Sequence, residues 1–75
     1  MTSYKNLGGD SSVRAYELGV DSITVQFSDN TVYLYTYQSA GSENIEKMKA
    51  LAIAGQGLNS FIMRYVKKAY SAKLR

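Results

Sequence analysis

The 75-residue sequence contains no cysteine, no histidine and no proline. Without Cys there is no disulfide framework and no thiolate nucleophile. Without His the commonest general base and the commonest zinc ligand are missing. Ser/His/Asp and Cys/His arrangements are therefore impossible within one chain. The six acidic residues are scattered singly, so no carboxylate cluster points to a metal. Missing Pro leaves turn geometry to Gly, Asn, Asp and Ser. No apolar run approaches the ~20 residues that cross a bilayer, and the first ten residues lack the apolar stretch of a signal peptide. The missing His and Cys and the scattered acids predict a non-enzymatic protein without cofactor or metal, and the missing membrane span and signal stretch predict a cytoplasmic one.

What is present is unevenly distributed. The net charge is +3, yet residues 1–40 are net negative and residues 41–60 are balanced. The positive charge sits in the final fifteen residues, where Arg64, Lys67, Lys68, Lys73 and Arg75 face no acid. A chain of this length makes one domain near the lower limit for a core unaided by disulfide or metal.

Residues 1–10 are polar and Gly-rich and predict a flexible tail, with Tyr4 and Leu7 as its only docking residues. Residues 12–18 are a weak strand candidate, followed by turn chemistry at Gly19-Val20-Asp21. Ser22–Phe27 alternates as a strand, with Ile23, Val25 and Phe27 on one face and Thr24 and Gln26 on the other. Thr31–Tyr37 is rich in β-branched and aromatic residues and forms the strongest strand pattern. The link between these two strands decides where Tyr33, Tyr35 and Tyr37 point. A two-residue Asp29-Asn30 turn pairs Val25 with Leu34. A three-residue Ser28-Asp29-Asn30 loop with Asn30 left-handed is favoured because it gathers the larger residues on one face; its expected partner for Val25 is Tyr35. Val32 and Leu34 are then half-exposed on the other face with Thr24 and Gln26.

Residues 38–42 read as a polar loop with Ser42 as N-cap. Ile45, Met48, Leu51 and Ala52 follow at helical spacing, and Gly55 supplies a left-handed cap. Asn59 or Ser60 is expected to cap a second helix whose buried stripe is Leu58, Phe61, Ile62, Tyr65, Val66 and Ala69. Arg64, Lys67 and Lys68 lie on the opposite side. The resulting fold class is α+β: a three-stranded antiparallel meander followed by two α-helices packed on one sheet face, in the order β-β-β-α-α. The domain is expected over residues 11–72, with residues 73–75 a basic tail.

Several residues carry a family resemblance in that order. They are Ser11-Ser12 before a strand, Val25-x-Phe27, Tyr33-x-Tyr35, and two helices separated by a Gly-containing junction and Asn59. The arrangement resembles the KTSC domain, a module of about 60 residues found alone in bacterial proteins and at the C-terminus of some lysyl-tRNA synthetases. The resemblance covers roughly residues 11–70. This chain has Asn30 where such domains usually have Gly, no Pro in the loop before the first helix, and Met63 and Val66 where the family has Arg and Tyr, unless the register slides to Arg64 and Tyr65. The resemblance implies no established activity; its synthetase association suggests RNA binding by analogy.

Two partner classes follow. Arg64, Lys67, Lys68, Lys73 and Arg75 can track a phosphate backbone while Tyr70 or Tyr65 stacks a base. The structural alternative is that cations near a helix C-terminus oppose the macrodipole. Tyr33, Tyr35 and Tyr37 can form a stacking platform or, as the favoured register implies, pack beneath the helices. Gly55-Gln56-Gly57 lacks the Lys-Ser/Thr of a phosphate loop and reads as a helix–helix junction. The second partner class is a protein, including another copy of the chain, on the sheet face bearing Val32 and Leu34.

Overall fold

The computed structural model describes residues 1–9 and 11–75. It is an α+β arrangement, with one antiparallel sheet covered by helices. The sheet has five strands in sequence order: β1 (Thr2–Ser3), β2 (Val13–Leu18), β3 (Ser22–Phe27), β4 (Val32–Thr36) and β5 (Ala72–Lys73). Between β4 and β5 lie α1 (Tyr37–Ala40), α2 (Ser42–Ala54) and α3 (Leu58–Phe61), the last running directly into a π-helical turn over Ile62–Val66.

The expected three-stranded meander is thus the centre of a wider sheet. The segment expected to be a loose tail contributes β1, and Tyr4 is buried at the core edge. Its N–H donates to the Arg14 carbonyl at 2.8 Å, and its hydroxyl accepts from the Leu58 N–H at 3.3 Å. An aromatic ring with one polar handle gains more from this site than from water. Asp10, in the same expected tail, lies outside the described residues. At the other edge, the expected basic tail is bound to β4: Lys73 pairs with Tyr33, and the Leu74 N–H donates to the Val32 carbonyl at 2.7 Å. Each added strand satisfies edge groups that the three central strands leave open.

The β3–β4 link is the three-residue loop, with Asn30 at φ 70° and the Phe27 N–H donating to the Thr31 carbonyl at 2.9 Å. Closing residues 28–30 sets Phe27 against Thr31, so Val25 lies opposite Tyr33 and Ile23 opposite Tyr35. The expected Val25–Tyr35 pairing is therefore displaced by two residues. That displacement preserves parity, so the same side chains face the helices. A bulge between Val13 and Ala15 changes parity in β2, and both Val13 and Tyr16 consequently point into the core.

Ile23, Val25, Phe27 and Tyr35 form the sheet side of the core, and Ile45, Met48, Ala52, Leu58, Ile62 and Val66 form the helix side. Burying each large aliphatic side chain contributes about 1.5–3 kcal/mol before entropy is counted. Tyr37 is not on the strand. It opens α1, where Thr36 and Ser39 make a reciprocal capping box, and its hydroxyl donates to Glu46 Oε2 at 2.6 Å. Ser42 lies inside α2, with Gly41 at the cap position.

Gly55 ends α2 in the left-handed conformation, φ 81°, as its spacing predicts. A Cβ there would sit 2.6 Å from Lys5 Cβ, so the position also admits the arm that carries Tyr4. Gly57, also at positive φ, precedes α3 and meets only ordinary contact from Leu51.

Candidate nucleic-acid interface

A π-helical turn closes i→i+5 bonds and is wider than an α turn. Its effect over residues 62–66 is local and decisive. Ile62 and Val66 both reach the core, and the three residues between them, Met63, Arg64 and Tyr65, all face solvent. Tyr65, expected in the buried stripe, is 64 % exposed, with its ring 4.9 Å from that of Phe61. Phe61 and Ala69 are only partly covered.

Lys67 and Lys68 continue this outward ridge and are exposed with Arg64. Lys73 and Arg75 are exposed on β5 and just beyond it. None of these five cations is ion-paired among the described residues; the ion pairs there join the Met1 amino group to Glu17 and Lys49 to Glu46.

Tyr33 ties the ridge to the sheet. The Tyr70 ring lies 4.7 Å from Tyr33 and 6.4 Å from Tyr35, and Phe27 meets Tyr33 edge-on at 5.8 Å. Tyr35 is 1 % exposed, and Tyr33 is half-buried. Burial, then the neighbouring Tyr33 and Tyr70, pushes the Tyr35 hydroxyl up to about 12. Tyr35 and Phe27 are core residues, as the favoured register implies, and the stacking platform of Tyr33, Tyr35 and Tyr37 does not form on an open face. Tyr33 and Tyr70 remain partly accessible at its edge.

Beside them is a cleft of about 320 Å³. Phe27 and Tyr33 line it from the sheet, and Asn59 and Met63 line it from the helix. Ser12, Ser28, Asp29 and Thr31 form the polar part of its lining. Asp29 Oδ1 accepts from the Thr31 N–H at 3.1 Å and from the Thr31 hydroxyl at 2.6 Å. Those two bonds, with a smaller contribution from the Lys73 charge, hold its carboxyl below the usual range.

Asn59 does not cap the helix, because the helix begins one residue earlier, behind Gly57. Its Oδ1 is sealed from solvent and accepts no hydrogen bond among the described residues. Leaving a buried acceptor unpaired costs about 1–3 kcal/mol. The residue also borders a smaller cleft of about 120 Å³ against Tyr4, Asn6 and Ser11.

On the opposite sheet face, Val32 is 4 % exposed rather than half-exposed, because the chain at Leu74 and Arg75 closes over it. Leu34 is half-buried. Met1, Gln26, Val32, Leu74 and Arg75 line a groove of about 360 Å³ on this side. Among the described residues no helix is long and apolar enough to cross a membrane, and no three metal-ligating side chains cluster.

The fold and surface together define a small α+β domain with a helix-covered antiparallel sheet and a cationic ridge. No family model, curated protein or solved structure matches the chain.

Proposed function

We propose that this protein is a non-enzymatic nucleic-acid contact module that binds single-stranded RNA along Arg64, Lys67, Lys68, Lys73 and Arg75, with Tyr65 and Tyr70 as stacking partners. The observation that carries this reading is a set of five exposed cations that form no ion pair among the described residues, with the exposed rings of Tyr65 and Tyr70 between them in sequence. Phosphate contacts supply sequence-independent affinity and aromatic faces hold unpaired bases. The resemblance to KTSC domains, with their synthetase association, points the same way, and a cytoplasmic location fits it.

Fluorescence anisotropy with a short labelled RNA tests the reading. Three to five phosphate contacts give a slope of log affinity against log salt of about −2 to −3.5. The double reversal Lys67→Glu with Lys68→Glu removes binding. Unchanged affinity in that variant rejects the proposal.

A second reading rests on the groove of the other sheet face, where exposed Met1 and Leu74 lie beside Val32, and on half-buried Leu34 of the same face. It makes this face a self-association surface. It requires a mass that rises with concentration in light scattering and returns to the monomer value in Leu34→Glu.

A further inference from the structure

The cleft beside Tyr33 has the chemistry of a base-binding site. Two aromatic side chains, Phe27 and Tyr33, line one side at an interplanar angle of 76°. Met63, 45 % exposed, presents a polarisable thioether from the other side. A planar ring entering between them gains apolar contact with both. The polar groups are also specific. Both bonds from Thr31 go to Asp29 Oδ1, and Asp29 Oδ2 accepts none among the described residues. Asn59 lines the same cleft; its Oδ1 is unpaired and sealed from solvent in this conformation, and a turn about its soft terminal torsion brings it to an incoming donor. A free carboxylate oxygen and an unpaired amide oxygen both call for N–H donors on the ligand.

Cations lie on chain segments adjoining this donor-seeking cleft, whose own lining carries none among the described residues. Met63 lines it together with Tyr33, and the Tyr70 ring lies 4.7 Å from Tyr33. The chain that carries Arg64, Lys67 and Lys68 therefore runs from the cleft wall at Met63 to the Tyr70 ring against Tyr33. Lys73 is the cross-strand partner of Tyr33, on the remaining side. Positive charge outside and hydrogen-bond acceptors within match one nucleotide unit: phosphates at the rim and a base inside.

We infer that the Phe27–Tyr33–Asn59–Met63 cleft is a pocket for a single unstacked nucleobase that bears an exocyclic amine, with Asp29 and Asn59 as the acceptors that read the amine. The inference rests on the single-stranded RNA reading above and adds base selectivity to it. Adenine, cytosine and guanine offer an exocyclic NH₂ group to a carboxylate, and guanine adds the neighbouring ring N–H. Uracil instead presents its one ring N–H between two carbonyl oxygens, which a carboxylate repels.

The test uses labelled strands of equal length and charge: oligo(A), oligo(C), oligo(U) and an abasic strand. Oligo(A) and oligo(C) bind about tenfold more tightly than oligo(U) or the abasic strand, the scale of one hydrogen bond to a charged group. Asp29→Asn can keep the turn, since its amide oxygen still accepts from Thr31, but it replaces the free oxygen with a donor. Its ratio of oligo(A) to oligo(U) affinity falls to near one, while the salt slope stays the same. Met63→Ala changes an exposed position that the fold tolerates; it weakens oligo(A) several-fold and leaves the abasic strand unaffected. Equal affinity of the wild-type protein for all four strands overturns the pocket while leaving the phosphate ridge standing. Failure of every strand to bind overturns both.

Discussion

At the scale of single residues, two positions carry more than their size suggests. Gly55 must both adopt a left-handed φ and leave space for Lys5, so Gly55→Ala meets two penalties at once. It is expected to destabilise the protein by about 2 kcal/mol, measured by urea unfolding. Tyr35 gives a pH signature. Its hydroxyl is held neutral up to about 12, against an ordinary value of 10.0. Between these values the unfolded chain has released the proton and the folded chain retains it, so unfolding releases a proton. The stabilisation is therefore complete below pH 10 and is lost as pH rises towards 12. Unfolding midpoints measured across that window fall with pH, and Tyr35→Phe flattens the part of the decline that Tyr35 causes. Gly55 was legible from its place after a helical stripe, and the burial of Tyr35 followed from gathering the large side chains on one face.

At the scale of elements, what could be read depended on regular period. The α2 stripe keeps one helical repeat from Ile45 to Ala52; Ile45, Met48 and Ala52 are buried as that repeat requires, and Leu51 is partly covered. β3 alternates without interruption, and its face assignment is correct. Where the backbone changes period the pattern misleads. The bulge in β2 brings Val13 and Tyr16 to one face although strict alternation separates them. The π turn swings Tyr65 out of a stripe to which α spacing assigns it. Neither irregularity leaves a residue type in the sequence that marks it. The same turn yields a prediction for the ridge. Lys67 and Lys68 lie outside the core, so reversing both charges leaves the thermal midpoint within about 3 °C of wild type, in line with ordinary surface substitutions. A larger loss in differential scanning calorimetry would show that the ridge supports the fold.

At the scale of the whole molecule, the two outer strands were the hidden part. β1 and β5 are each two residues long, too short for a periodic signal, and are recruited by the edges of a sheet that only exists after folding. The candidate site divides in the same way. Its cations were legible as composition, whereas the cleft joins residues from the β3–β4 loop and α3 that only the tertiary fold brings together. Removing residues 72–75 strips the cover from Val32 and frees the β4 edge. The expected cost is about 2 kcal/mol in chemical denaturation, and the deletion also removes Lys73 and Arg75 from the ridge. Comparing it with the charge-neutral pair Lys73→Gln and Arg75→Gln separates lost packing from lost charge, because the pair retains the strand.

The ring cluster of Tyr33, Tyr35 and Tyr70 has a spectroscopic consequence. The chain has seven tyrosines and no tryptophan, so its near-ultraviolet absorption and emission are not masked by indole. Three of those chromophores are in mutual contact beside the cleft and the ridge. Occupancy there therefore alters the intrinsic emission and near-ultraviolet dichroism of the unmodified protein, giving it a built-in optical reporter that Tyr70→Leu weakens.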